Sequence, residues 1–96
     1  MREVEIENYL RGQVRKSGGK AYKFTSPGNN GVPDRIVIFP KGRIYFVELK
    51  APGKKLSRIQ NVKITELRKL GCSVHVIDNK VSVDKFITTV SEECGT

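Results

Sequence analysis

The 96-residue chain has only two cysteines, Cys72 beside an apolar run and Cys94 in a polar tail. Without disulfide-like or metal-ligand spacing, they argue against both a disulfide framework and a zinc site, so Cys72 reads as core filler and Cys94 as incidental. Long apolar runs are missing too. No segment approaches the roughly 20 residues of a membrane span, and the opening MREVEIENYL is too acidic and too short of apolar residues for a secretory signal. The expected location is the cytoplasm, with no membrane partner. Aromatic residues are not interleaved with basic ones: Tyr22, Phe24, Tyr45 and Phe46 all fall within strand patterns, so a single-strand stacking surface is not evident.

Acid is also in short supply. Eighteen Lys and Arg against ten Asp and Glu give a formal charge of +8. Such an excess favours a polyanionic partner, nucleic acid first, because neutralising phosphates releases condensed counterions. Taken alone, composition fits a solubilising surface equally well. A local basic cluster stands at Lys54, Lys55 and Arg58.

At this length one domain spanning residues 1–96, with one modest core, is expected. Ile6, Leu10 and Val14 recur every four residues within 3–16, the stripe of an amphipathic helix that Gly18-Gly19 ends. Ala21–Thr25 reads as a short strand, SPGNNGVP as a loop, and strands follow at Asp34–Phe39 and Arg43–Ala51. A second helix runs from Leu56 to Leu70, with Ser57 and Gln60 as a capping box and Gly71 as its stop. Ser73–Asp78 reads as a fourth strand, Asn79-Lys80 as a turn, and Ser82 or Asp84 as the cap of a last helix reaching Val90. Residues 91–96 read as a frayed tail. The order α-β-β-β-α-β-α, with a helical crossover before the last strand, predicts an α/β fold with a mixed sheet flanked by helices.

The hairpin between the second and third strands carries the chemistry. A two-residue loop Lys41-Gly42 would force a lysine to positive φ and set Asp34 opposite Leu49. A three-residue loop Pro40-Lys41-Gly42 instead pairs Phe39 with Arg43 and Asp34 with Glu48. One face then holds Asp34, Ile36, Ile38, Ile44, Phe46, Glu48 and Lys50, and the other Val37, Phe39, Tyr45, Val47 and Leu49. Both faces are mainly apolar and are expected to be covered. Two opposed carboxylates repel, so a positive charge belongs between them: the Lys50 ammonium, or a cation such as Mg²⁺ or Mn²⁺ that suits hard oxygen donors. Lys50 beside such a cation would serve an attacking water or the developing phosphorane charge.

Pro33-Asp34 followed by Glu48-Leu49-Lys50 resembles the PD-(D/E)XK nuclease signature, and GVPDR with FVELKAPG resembles its VRR-NUC branch. The likeness runs from the acidic first helix to the strand at Val74. It implies a restriction-endonuclease-like core and an Mg²⁺- or Mn²⁺-dependent DNA endonuclease. In that reading Asp34 and Glu48 are metal ligands and Lys50 is the catalytic lysine. Small stand-alone members are similar to homodimeric Holliday-junction resolvases, which implies branched DNA as substrate, a homodimer, and a bacterial or phage-infected host cell. The family also uses a glutamate of the first helix. Glu3 and Glu7 flank the apolar stripe, with Glu7 the first choice and Glu3 the alternative. Gln60 matches a family glutamine, although capping also explains it. Lys54, Lys55, Arg58 and Arg35 are the expected phosphate grips, and His75 is expected to be structural. The rival reading is a non-catalytic basic nucleic-acid-binding module, distinguished by binding without metal-dependent turnover.

Overall fold

A computed structural model describes residues 1–94. Along the chain run α1 (Glu3–Lys16), β1 (Lys20–Lys23), β2 (Arg35–Phe39), a 3-10 turn (Pro40–Gly42), β3 (Arg43–Leu49), α2 (Arg58–Lys69), β4 (Val74–Ile77) and α3 (Lys80–Cys94). The strands form one sheet in the order β1-β2-β3-β4. The first two pairings are antiparallel and β3 with β4 is parallel, the mixed sheet expected when a helix connects two neighbouring strands.

One face of the sheet is dry. Val37, Phe39, Tyr45, Val47 and Leu49 alternate toward it and meet Ile6, Leu10 and Val14 of α1 and Val83, Phe86 and Val90 of α3 in a single buried cluster. Each such side chain contributes about 1.5–3 kcal/mol, which makes this layer the main support of the fold. His75 belongs to it: its ring lies 4.8 Å from Phe86 and 6.0 Å from Tyr45, and burial holds its pKa below the ordinary value. The expected structural role therefore fits its surroundings.

The opposite face is not covered as fully as the strand pattern suggests. α2 lies over β3 and β4 with Ile64 as its one buried residue, while Ile44 is 53% exposed and Ile36, Ile38 and Phe46 are half-buried. A single helix of 12 residues is too narrow to shield four strands.

Two further differences from the sequence reading are local. α3 starts at Lys80 because Asn79 is its cap, with Asn79 Oδ1 accepting the Ser82 N–H at 2.8 Å, so neither Ser82 nor Asp84 fills that position. The helix also continues beyond Val90 to Cys94, and Glu93 accepts a 2.6 Å hydrogen bond from the Tyr45 hydroxyl; Gly95 and Thr96 lie outside the described residues. The hairpin has the expected three-residue loop and pairs Phe39 with Arg43, but Lys41 as well as Gly42 is left-handed, at φ 72° and 69°. Arg43 ties the turn in place by donating to the Pro40 carbonyl at 3.1 Å and to the Val90 carbonyl at 2.9 Å. Only the bond to Val90 is long-range, anchoring the turn to α3; a lysine loses roughly 1–2 kcal/mol in this conformation.

Candidate active site

The register continues past its last ladder pair, Arg35 with Val47, to bring Asp34 beside Glu48. Asp34 caps this end of the hairpin, its Oδ1 accepting the Leu49 N–H at 3.2 Å. Glu48 is only 4% exposed. Both carboxyls are pushed up, chiefly by burial. Glu48 reaches about 7 because the Asp34 charge adds to desolvation, while Lys50 pulls the other way. Lys50 follows one strand step beyond Leu49, on the face of Glu48, and its N–H donates to the Ile77 carbonyl at 2.9 Å. Two acids and a lysine thus share one end of the sheet.

α2 enters this site through Gln60, and the two explanations of that residue hold together. Its Oε1 accepts the Ser57 N–H at 2.9 Å, and Ser57 Oγ accepts the Gln60 N–H at 3.2 Å, completing the capping box. Its amide nitrogen remains free to donate to Glu48 Oε2 at 3.1 Å. The loop before β2 closes over the same helix end: a Cβ on Gly31 (φ +89°) would stand 2.8 Å from the Ile59 carbonyl oxygen, so only glycine allows this approach.

The helix acids are arranged differently from the expectation. Glu7 forms an ion pair with Arg35, whose buried guanidinium also donates to the Asp34 carbonyl at 2.8 Å. Arg35 is therefore no exposed phosphate grip. It points to the α1 side of the sheet, one step out of phase with Asp34, and ties α1 to β2. Glu3 is the acid of α1 whose negative charge raises both Asp34 and Glu48. The helical wheel placed both glutamates beside the apolar stripe but carried no information about the arginine opposite them.

Lys54, Lys55 and Arg58 are all exposed, on the loop and first turn leading into α2. Among the described residues no three or more His, Cys, Asp and Glu side chains converge as a ready-made metal cage. The donor set still fits Mg²⁺ or Mn²⁺, since these ions keep several waters and bind through one or two carboxylates. The shared repulsion of Asp34 and Glu48 is what such a cation would relieve.

The VRR-NUC domain family matches residues 12–80. The chain belongs to the VRR-NUC family of nucleases. It is 51% identical over 80 residues to "Putative nuclease p44" of Acyrthosiphon pisum secondary endosymbiont phage 1, covering 83% of this chain and 86% of that protein. A solved structure of a VRR_NUC domain superposes with a TM-score of 0.84 at 33% identity, over 90% of this chain and 94% of the other. This VRR-NUC fold carries the expected α-β-β-β-α-β-α order, and among its described residues no helix is long and apolar enough to cross a membrane.

Proposed function

We propose that this VRR-NUC chain is a divalent-metal-dependent DNA endonuclease acting on branched DNA such as Holliday junctions, as a homodimer in the cytoplasm of a bacterial or phage-infected cell. The observation that carries the reading is the opposition of Asp34 and Glu48 at a strand end shared with Lys50. A fold seldom retains two repelling, partly desolvated carboxylates unless something binds them.

Asp34 and Glu48 would hold Mg²⁺ or Mn²⁺, with Glu3 the better placed α1 acid and Glu7 held by Arg35. When bound, such a cation supplies Lewis acidity to the phosphoryl oxygens. Gln60 fixes the Glu48 carboxylate by its 3.1 Å hydrogen bond, so the ligand oxygen does not have to reorganise. Lys50 orients the attacking water and offers its ammonium to the charge that grows on the phosphorane. Water oxygen bonds to phosphorus as the bond to the 3′ oxygen breaks, leaving a 3′ hydroxyl and a 5′ phosphate. Lys54, Lys55 and Arg58 grip phosphates on the α2 side.

The branched-substrate and dimer elements rest on symmetry. A four-way junction needs two related cuts, and a two-fold dimer supplies two sites through one interface. The test is cleavage of four-way, flapped, duplex and single-stranded DNA with Mg²⁺, Mn²⁺ or EDTA, beside light scattering with and without the junction. Paired metal-dependent cuts in the junction by a dimer are expected. Equal cutting of linear duplex by a monomer would reduce the reading to a simple nuclease, and salt-sensitive binding without turnover would establish the non-catalytic alternative.

A further inference from the structure

Glu3, Glu7, Arg11 and Arg15 are spaced by four and fall on one ridge of α1. In its first half Glu7 meets Arg35, the neighbour of Asp34 in sequence. Its second half runs beside β1, the edge strand. Two adjoining cavities of about 330 and 400 Å³ lie there and share Arg11, Ala21 and Tyr22. The first reaches Lys23 and the Glu7–Arg35 pair, and the second reaches Arg15 and Lys20. They form one groove along α1 and β1 that ends at the Glu7–Arg35 pair.

This groove is basic and uncommitted. Among the described residues the ion pairs are Arg2–Glu5, Arg35–Glu7 and Lys63–Glu66, so Arg11, Arg15, Lys20 and Lys23 neutralise no acid. The one carboxylate lining it, Glu7, is already paired. β1 pairs only with β2, leaving its outer backbone groups without a sheet partner, and Tyr22 is 51% exposed. Edge lysines also discourage strand addition, which explains Lys20 and Lys23 on their own. It does not explain why two arginines of another element meet them. About 6 Å separates Arg11 from Arg15 along the helix, while Lys23 on the α1 face and Lys20 on the other flank the same sheet edge, a spread too wide for one small anion.

We propose that the α1–β1 groove holds a nucleic-acid strand along the sheet edge, with Arg11, Arg15 and Lys23 contacting phosphates from the α1 side and Lys20 and Tyr22 meeting the strand from the other side of the edge. The choice of nucleic acid as occupant rests on the nuclease reading; the binding test does not depend on Asp34, Glu48 and Lys50. Nucleic acid is favoured over an acidic protein because the chain belongs to a nuclease family and an exposed ring, Tyr22, borders the cations.

Binding of a labelled duplex and a labelled single strand, followed by anisotropy in EDTA over a range of salt, tests this without turnover. Arg11→Ala with Arg15→Ala, and separately Lys20→Ala with Lys23→Ala, should each flatten log K against log salt by about 0.9 per lost duplex contact and about 0.7 per lost single-strand contact. Arg11→Lys with Arg15→Lys should recover the wild-type slope, and Lys69→Ala with Lys85→Ala, exposed on other elements, should leave it unchanged. Groove variants with the control's slope would overturn the proposal. So would equal binding of labelled polyglutamate through the same four residues, which would make the groove a docking site for acidic protein. The cleavage reading fails separately: Asp34→Asn that still cuts DNA refutes the site and leaves the groove result standing.

Discussion

Leu49 and Lys50 are adjacent in sequence and face opposite ways. Leu49 is 2% exposed within the cluster built by α1, α3 and the sheet, whereas Lys50 is half-buried at the strand end that carries Asp34 and Glu48. The dry face gains stability from area removed from water and admits charge only as the Arg35–Glu7 pair at its edge; the other face gives some stability up by holding Asp34 and Glu48 together. The alternation of one strand therefore separates support from chemistry. Rigid packing behind Val47 and Leu49 is what keeps Glu48 and Lys50 in place.

The sharpest way to break this contrast is to change those two neighbours. Lys50→Met should lower DNA cleavage by at least about 100-fold with little change in melting temperature. Leu49→Ala should cost about 2–5 kcal/mol of stability. Single-turnover cleavage and denaturant titration of both variants check the pair. A Lys50 variant that unfolds, or a Leu49 variant of wild-type stability, would merge the two roles.

Acid–base behaviour gives a second, smaller separation. Because the folded pKa of Glu48, about 7, lies above the ordinary carboxyl value of 4.5, the native state keeps its proton longer than the unfolded chain. Stability attributable to this group is full below the ordinary value, falls as pH rises toward 7 by at most about 1.4 kcal/mol per pH unit, and is level above it. Asp34 is raised and adds the same sign, while His75, lowered by burial, adds the opposite one. Denaturant titrations of wild type and Glu48→Gln across this window should therefore diverge, the variant losing the fall due to Glu48 and being the more stable at pH 7.

Gln60 can be divided between its two hydrogen-bonding partners. Ser57→Ala should cost about 1 kcal/mol through the cap while cleavage stays within a few-fold of wild type. Gln60→Ala should match that cost and also slow cleavage about 10-fold by releasing Glu48. Equal activities in the two variants would reduce Gln60 to a capping residue. The smallest effect belongs to the turn: Lys41→Asn should raise stability by about 0.5–1 kcal/mol, read from thermal melts, because Asn accepts the left-handed backbone more readily.

Much of this arrangement is legible in the sequence because it is set by local rules. The four-residue stripe of Ile6, Leu10 and Val14 marks α1, Ser57 and Gln60 mark the start of α2, and the three-residue turn selects the register that joins Asp34 to Glu48. What stays hidden depends on partners far along the chain. The Arg35–Glu7 ion pair, the contact of Gly31 with Ile59, the bond from Tyr45 to Glu93 that holds the end of α3, and the partial cover over Ile44 all require the elements to be docked first. The left-handed Lys41 also lies outside the turn rule, which gives that conformation to Gly42 alone.

In the proposed function Asp34 and Glu48 form a cation site that makes this face catalytic. Calorimetric titration of Mn²⁺ into wild type and Asp34→Asn, paired with cleavage of a labelled four-way junction by the same preparations, tests it most directly. Wild type should bind Mn²⁺ and cut only with metal, and folded Asp34→Asn should do neither. Wild-type cutting by Asp34→Asn, or Mn²⁺ binding unchanged by the substitution, would contradict it.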